Sequence, residues 1–217
     1  MSILCFFSGF DREKGFTEEV GGSLREHISE RKSLAFVASC PYDHDRTDFY
    51  KEVNATWFRN IGIEFENISV IDDRKTEAEC IEIINEASAV FLTGGTTFLQ
   101  FDFIKKNNLI PVLRQHNGVV MGMSAGAINM AVNSFYSADE DSDKSLIYKG
   151  IGLADISIDP HFDINNEDLL NNEILPFSDL IDIYAMCDES AIIISGGKKQ
   201  FYGDIYLVSE GMIEKIN

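Results

Sequence analysis

Short apolar runs recur along this chain, and polar stretches long enough for two or three helical turns separate the early ones. Alternation of this kind is typical of a mainly parallel sheet that helices cover on both faces. The apolar runs predict strands over Ile3 to Ser8, Leu34 to Ser39, Ile63 to Val70, Ala89 to Thr93, Val119 to Met123, Ile156 to Ile158, Ile181 to Ala185 and Ala191 to Ser195. The polar stretches predict helices over Thr17 to Glu30, Asp45 to Asn60, Thr76 to Ala87 and Thr97 to Lys106.

The pattern changes in the last sixty residues. Apolar runs over Gln200 to Val208 and Met212 to Ile216 are set off by Gly196-Gly197 and Glu210-Gly211, which are hairpin signals. The chain of 217 residues, 45% of them hydrophobic, can bury one substantial core. We therefore expect a single α/β domain over residues 1–217, a three-layer, doubly wound, mostly parallel sheet that ends in antiparallel strands.

The charge of the chain restricts its partners. The formal net charge is −18, from 36 acidic and 18 basic residues. Such a surface repels nucleic-acid phosphates and anionic lipid headgroups, so neither nucleic acid nor membrane is an expected partner. The apolar opening from Ile3 to Phe7 is too short to span a bilayer and has no positively charged segment before it, so we expect a cytoplasmic protein.

The four cysteines, Cys5, Cys40, Cys80 and Cys187, show no C-x-x-C spacing. This pattern predicts reduced thiols in the core rather than a zinc site or a disulfide framework. The histidines are dispersed as well, and we expect neither a metal nor another cofactor.

One segment has the pattern of a nucleophile elbow. Gly122-Met123-Ser124-Ala125-Gly126 joins an apolar run to a helix-forming stretch through G-x-S-x-G. The turn is so sharp that a side chain at either glycine would collide with the backbone, and it raises the serine hydroxyl above the sheet. The alternative is a tight turn whose small residues only allow close packing. Strand before and helix after favour Ser124 as a nucleophile.

A nucleophilic serine needs a base, and the chain has four histidines. His27 and His116 are predicted to be solvated or to lie near a helix C-terminus. His44 lies in a polar loop and could border a site. His161 directly follows a predicted strand in Asp-Pro-His-Phe-Asp and is the best candidate base, with a capped turn as its alternative role.

A catalytic imidazole also needs an acceptor that fixes its tautomer. Glu189, between two predicted strands, is the best-placed carboxylate, and Asp188 is its immediate competitor. An oxyanion hole could combine Gly94 or Gly95, from a loop that opens a helix, with the amide of Ala125. That loop could instead be a helix entry capped by Thr96 or Thr97, or a phosphate cradle.

The order serine, histidine, acid differs from that of α/β-hydrolases, which place the acid before the histidine. Three motifs resemble peptidase family S51, the dipeptidase E and cyanophycinase group: the glycine loop Phe91 to Phe98, the elbow Gly122 to Ala127 and the histidine motif Asp159 to Phe162. The resemblance runs from the first strand to about Ser195. It implies the class I glutamine amidotransferase-like fold with a flavodoxin-like core, and serine where the amidotransferases use cysteine.

The resemblance implies a Ser124, His161 and Glu189 triad, with Gly95 and Ala125 donating to the oxyanion and Asp139 as a candidate accessory residue. Members that cleave beside aspartate carry arginine soon after the histidine motif, yet Gly150 to Gly197 contains neither arginine nor lysine. An acidic side chain would then meet like charge, from Asp163, Glu167 and Asp168, and no bidentate partner.

The sequence therefore predicts a peptidase that acts on a small peptide or amide with a neutral or cationic group and is not specific for aspartate. The rival is a non-catalytic small-molecule binding or regulatory protein on the same fold. A cysteine-dependent glutamine amidase is disfavoured, since no cysteine occupies the elbow. Exposed strand edges near the C-terminus would allow a homodimer.

Overall fold

The computed structural model describes residues 2–138 and 144–217. Its strands are β1 (Ile3–Phe7), β2 (Ser33–Val37), β3 (Asn67–Ile71), β4 (Ala89–Leu92), β5 (Val119–Met123), β6 (Asn133–Tyr136), β7 (Leu146–Lys149), β8 (Ser157–Pro160), β9 (Ile183–Met186), β10 (Ala191–Ser195), β11 (Lys198–Tyr202), β12 (Ile205–Ser209) and β13 (Met212–Lys215). Its α-helices are α1 (Glu18–His27), α2 (His44–Asn60), α3 (Glu77–Glu86), α4 (Thr97–Lys106), α5 (Ile110–Gln115), α6 (Ala125–Met130) and α7 (Glu167–Leu169), the last followed by a π turn (Leu170–Ile174) and a 3-10 turn (Leu175–Phe177).

The central sheet has seven strands in the order β11-β10-β1-β5-β4-β2-β3. Strands β1, β5, β4, β2 and β3 are parallel, and β10 and β11 extend the sheet in antiparallel pairing. The predicted α/β fold with a mostly parallel sheet and antiparallel strands near the C-terminus is confirmed.

Alternate residues of the central strands point into two separate cores. In β1, Leu4 and Phe6 pack in the core that α3, α4, α5 and α6 cover, whereas Cys5 and Phe7 pack in the core that α1 and α2 cover. A strand buried on both faces must be apolar at successive positions, which is why these runs lack a polar side. Helices on both faces leave the carboxyl ends of the parallel strands open to a site.

A second sheet lies outside this sandwich and was not predicted. It has the order β13-β12-β9-β8, with β8 and β9 parallel and the other pairs antiparallel. The run predicted as one strand over Gln200 to Val208 is broken at Gly203, which has a φ of 72°. Its two halves, in β11 and β12, belong to different sheets.

Other differences are local. The strand predicted over Ile63 to Val70 begins only at Asn67, and the pair β6 and β7 was not predicted. Within the described ranges, no helix is long and apolar enough to cross a membrane.

Candidate active site

Ser124 lies at the turn between β5 and α6, at the carboxyl edge of the central sheet. Its backbone has φ 47° and ψ −112°, which is rare for a residue with a side chain. Two hydrogen bonds hold this conformation: the Ser124 N–H donates to the Phe7 carbonyl at 2.9 Å, and the Ile128 N–H donates to the Ser124 carbonyl at 2.9 Å. The neighbouring strand and the following helix therefore fix the strained turn in place.

The two glycines of the elbow leave no room for a side chain. A Cβ at Gly122 would lie 2.6 Å from the Gly126 carbonyl carbon, and a Cβ at Gly126 would lie 2.2 Å from the Leu92 carbonyl oxygen. Since α6 has only six residues, its dipole is small, and the local group facing a developing charge is the Ala125 amide rather than the helix as a whole.

The second sheet supplies the histidine and its partner. His161 follows β8 and Asp188 follows β9, two parallel strands in register from Ser157 with Ile183 to Pro160 with Met186. Carboxyl ends of neighbouring parallel strands meet at one edge of a sheet, so residues far apart in sequence come together there. His161 has a φ of 59°, which turns its ring out of the strand direction.

Three side chains form a hydrogen-bonded row. Ser124 Oγ lies 3.0 Å from His161 Nε2, and His161 Nδ1 lies 2.6 Å from Asp188 Oδ1. An ionised carboxylate only accepts hydrogen bonds, so Nδ1 carries the proton and Nε2 is left to accept from the serine hydroxyl. The serine hydroxyl and the carboxylate are thus each within hydrogen-bond reach of the imidazole, an arrangement that could activate the serine.

The carboxylate that contacts His161 is Asp188, whereas the sequence favoured Glu189. Glu189 has a φ of 64°, and its N–H donates to the Gly9 carbonyl at 2.6 Å. This turn carries the chain from the second sheet back to β10, and it sends successive side chains in different directions. The choice of Glu189 over Asp188 is therefore corrected: in this geometry the ring has Asp188 as its partner.

Ser8 and Gly9, the two residues that follow β1, support His161. Neither was predicted from the sequence. The buried Ser8 hydroxyl accepts from the His161 N–H at 2.8 Å and donates to the Met186 carbonyl at 3.0 Å, joining the two sheets behind the ring. A Cβ at Gly9 would lie 2.6 Å from His161 Cε1 and 2.8 Å from Asp188 Oδ1. Their only signal in the sequence is their position at the carboxyl end of a strand.

The glycine loop lies beside Ser124. A Cβ at Gly94 would lie 3.5 Å from Ser124 Cβ. Ser39 Oγ donates to the Gly94 carbonyl at 2.6 Å, and because a trans peptide is planar, the Gly95 N–H points away from Ser39. Gly95 has a φ of 141°, and a Cβ there would lie 2.3 Å from Ser39 Oγ, so this position requires glycine.

Backbone donors are free in this region. Among the described residues, the N–H groups of Gly95 and Ala125 have no acceptor. Thr96 is the N-cap residue of α4, but its side chain accepts no capping hydrogen bond, so the alternative of a loop organised by a Thr96 cap is not supported. The loop can therefore present N–H groups to an anionic oxygen beside Ser124.

One face of α2 completes a cleft of about 290 Å³ around the serine. Arg46, Tyr50 and Asn54 line it, together with the residues after β1, the glycine loop and the Ser124–His161 pair. These three residues lie four positions apart along the helix and therefore share one of its faces. Trp57 Nε1 donates to the Arg12 carbonyl at 2.9 Å, which fixes α2 against the loop after β1.

The residues that line this cleft differ from the acidic lining that the sequence predicted around the substrate. None of the exposed residues Asp163, Glu167 and Asp168 lines the cleft, whereas Arg46 does. The Arg46 guanidinium has no carboxylate partner in the described part of the chain and lies 6.0 Å from the centre of the Tyr50 ring. An acidic group entering the cleft would therefore not meet like charge alone.

The other candidate residues lie elsewhere. His44 contacts Asp73, and His27 lies 3.3 Å from Gln200 Oε1. His116 is the C-cap residue of α5, so it lies near a helix C-terminus as one of its two expected positions had it, but it is 7% exposed rather than solvated, and burial lowers its pKa. Asp139 lies outside the described residues. Within those residues, no group of three or more His, Cys, Asp or Glu side chains could hold a metal ion.

Asp159, two residues before His161, is a buried acid that the sequence did not single out. It is 1% exposed, accepts from Ser137 Oγ at 2.6 Å through Oδ1, and has no partner for Oδ2 among the described residues. Desolvation raises its pKa from 3.8 to about 6, against the smaller opposing effects of the Ser137 hydrogen bond and the His161 charge. Folding therefore favours the protonated carboxyl.

Asp159→Asn is expected to raise the free energy of unfolding at pH 7 by on the order of 2–3 kcal/mol, because one pKa unit corresponds to about 1.4 kcal/mol. The folded-state pKa is raised, so the stabilising contribution of Asp159 is complete below its unfolded pKa of 3.8 and is lost as the pH rises through about 6. Urea unfolding at pH 4 and pH 7 measures the effect. The exposed Asp155→Asn is the control, and an equal gain at both pH values would contradict the prediction.

Comparisons with known proteins agree with this architecture. A model of peptidase family S51 matches residues 4–202, which is most of the chain. The crystal structure of a peptidase from an acI-B1 actinobacterium superposes with a TM-score of 0.69 at 16% identity, covering 100% of this chain and 94% of that one. A candidate peptidase E protein from Listeria monocytogenes EGD-e gives a TM-score of 0.68 at 16% identity, with coverages of 93% and 98%. At this identity the two structures establish the shared fold, and the family model establishes membership: the chain belongs to peptidase family S51.

Proposed function

We propose that this protein is a serine peptidase that cleaves small peptides or amides through an acyl-enzyme. The observation that carries the proposal is the row from Ser124 Oγ through His161 to Asp188, with separations of 3.0 Å and 2.6 Å. The cleft of about 290 Å³ is at the lower end of the roughly 300–1,000 Å³ typical of small-molecule sites. That size favours a short peptide over a folded protein as substrate.

In the proposed mechanism, Ser124 Oγ attacks the substrate carbonyl while His161 Nε2 takes the hydroxyl proton. Asp188 keeps the Nδ1 proton in place and stabilises the imidazolium that forms. The N–H groups of Gly95 and Ala125 stabilise the oxyanion of the tetrahedral intermediate. His161 then gives the proton to the leaving amine, and water hydrolyses the acyl-enzyme with the same base.

A fluorophosphonate probe tests the proposal without knowledge of the substrate. We expect the wild-type protein to form one covalent adduct on Ser124, detected by mass spectrometry of the intact chain and of its peptides. Ser124→Ala should lose the adduct, and Ser69→Ala, at the far edge of the sheet in β3, should keep it. Failure of the folded wild-type protein to react would contradict an activated serine.

Gly9→Ala is expected to lower kcat/KM by roughly 100-fold, because a displacement of the reacting groups by about 1 Å can cost that much. The new methyl would overlap both His161 and Asp188, and Gly9 has no positive φ, so the effect comes from contact and not from backbone strain. Peptide hydrolysis measures it, with Gly22→Ala in α1 as the control because its Cβ meets only a flexible arginine end at 3.7 Å. Unchanged activity would show that the ring is not held as described.

The alternative function is small-molecule binding without catalysis on the same fold. The exposure of Asp188 slightly favours this non-catalytic function. Its side chain is 66% exposed, so solvent weakens its contact with the His161 ring. The fluorophosphonate result separates the two functions. We further place the protein in the cytoplasm, where its four free cysteines would stay reduced.

A further inference from the structure

Among the described residues that line the cleft with Ser124, Arg46 is the only arginine or lysine. It lies in the first turn of α2, it is exposed, and its guanidinium hydrogen-bonds no other residue in the described part of the chain. Every other guanidinium donates to a carbonyl, a hydroxyl or a carboxylate: those of Arg12, Arg25, Arg31, Arg59, Arg74 and Arg114. In a chain with 36 acidic residues, the one unused guanidinium is thus at the candidate active site.

Tyr50, one turn further along α2, adds a second unused donor to the cleft. Its hydroxyl accepts a hydrogen bond from Arg12 Nη2 at 3.2 Å, and no described residue accepts the proton of this hydroxyl. The Arg46 guanidinium lies 6.0 Å from the centre of the Tyr50 ring, within the range of a cation–π contact. The same face of α2 therefore presents an O–H group close to a guanidinium.

The chemistry of these two donors selects an anionic ligand. A guanidinium has only donors, and its planar fork matches the two oxygens of a carboxylate. No aspartate or glutamate is present among the described residues that line the cleft, so the lining offers Arg46 no competing carboxylate. A bound carboxylate can accept from Arg46 and from the Tyr50 hydroxyl together, whereas an ammonium would meet like charge at Arg46.

The loop after β1 connects this pair of donors to the side of the leaving group. His161 must lie beside the leaving amine in order to protonate it, and Gly9 closely approaches its ring. Phe10 continues the lining of the cleft, and Arg12 reaches the Tyr50 hydroxyl. A leaving residue that extends from His161 along this loop therefore arrives at the face of α2 that carries Arg46.

Resting on the proposed function, we propose that Arg46, assisted by Tyr50, is the specificity determinant that binds the α-carboxylate of the leaving residue. This carboxylate is separated from the scissile nitrogen by a single Cα atom, so it lies close to the reacting bond. Amidation of the substrate would place a neutral group against the unused guanidinium. The protein should therefore prefer a peptide whose leaving residue ends in a free carboxylate over the corresponding amide.

The overall charge of the protein separates this preference from general electrostatics. At a formal net charge of −18, the field of the surface favours cationic ligands. Amidation of a dipeptide removes a negative charge, and on this ground alone the amide should bind more tightly than the free acid. Tighter binding of the free acid would therefore require a local cation that recognises the carboxylate.

Binding to the Ser124→Ala protein tests this recognition apart from catalysis. Isothermal titration calorimetry compares Ala-Leu with Ala-Leu-amide at 150 mM salt, and we expect Ala-Leu to bind at least about tenfold more tightly, since hydrogen bonds to charged groups are strong. Asp-Leu-amide is the third ligand, because Arg46 also lines a recess with Gly94 and an acidic acyl side chain is the alternative source of a carboxylate. Equal or tighter binding of either amide, or no binding of Ala-Leu at millimolar concentration, would overturn the proposal.

Arg46→Gln and Tyr50→Phe in the Ser124→Ala background assign the preference to these residues. Arg46→Gln should reduce the ratio of the two affinities to within about twofold, and Tyr50→Phe should reduce it by about threefold. Arg59→Gln is the matched control, because Arg59 is exposed on the same helix and does not line the cleft. An unchanged ratio in Arg46→Gln or Tyr50→Phe, or an equal loss in Arg59→Gln, would overturn the proposal.

The fluorophosphonate reaction of the wild-type protein is read separately from these affinities. Reaction without a preference for the free acid refutes only the role of Arg46 and Tyr50. A preference for the free acid without reaction refutes hydrolysis and leaves a carboxylate-binding cleft.

Discussion

Ser124→Ala is expected to lower kcat by about 10⁴- to 10⁶-fold on the best dipeptide found in a screen of neutral acyl residues. The hydroxyl is the only group in the proposed mechanism that forms a bond to the substrate, and its loss leaves just the oxyanion donors and binding. KM should change much less, because the hydroxyl contributes little to ground-state contact. Purified wild-type and variant protein are compared by release of the free amino acid, with Ser69→Ala as the control for preparation and folding.

His161→Ala should cause a loss of similar size, and the double variant with Ser124→Ala should be no slower than either single variant. Residues that act as one unit give strongly non-additive effects, because removal of one member already disables the others. Multiplicative losses would mean that the two side chains act independently. In that case the 3.0 Å contact between them would have no catalytic role.

The sequence was most informative where the structure is local. The strand, the sharp turn and the helix around Ser124 are specified within a dozen residues, and the two elbow glycines are required by contacts of 2.6 Å and 2.2 Å. The parallel sheet was predictable for a related reason. Alternate side chains of a strand such as β1 pack in two different cores, so the strand must be apolar at every position.

The second sheet was not predictable from local patterns. Whether β8 pairs with β9 or joins the central sheet depends on contacts between residues 26 apart in sequence, such as Ser157 and Ile183. The same limit hid the contacts of Ser8. It looks ordinary in its own segment, and it joins the two sheets only when β8 and β9 are folded against it.

The neighbouring acids Asp188 and Glu189 show this limit at single-residue scale. Both lie between the same two predicted strands, and position in the sequence alone favoured Glu189. What separates them is the backbone: Glu189 adopts a φ of 64°, and its N–H is held by the Gly9 carbonyl. A turn of this kind sets which of two adjacent side chains points at the histidine.

Asp188→Asn is therefore expected to lower kcat by about 10²- to 10³-fold, while Glu189→Gln should stay within about threefold of the wild-type rate. An amide can donate to Nδ1 and so favours the wrong tautomer of His161, an effect of about 10⁴-fold where the acid is buried. The Asp188 side chain is 66% exposed, so water can partly replace its contact, and we expect a smaller loss.

The paired variants are best compared by kcat across the pH range and by fluorophosphonate labelling rate. Both rates should fall together in Asp188→Asn, because the nucleophile is less often activated, while Tm should hardly change for an exposed side chain. A large loss in Glu189→Gln with a normal rate in Asp188→Asn would assign the third position to glutamate. That result would require the turn after β9 to rearrange when substrate binds, bringing the Glu189 carboxylate to Nδ1 in place of Asp188.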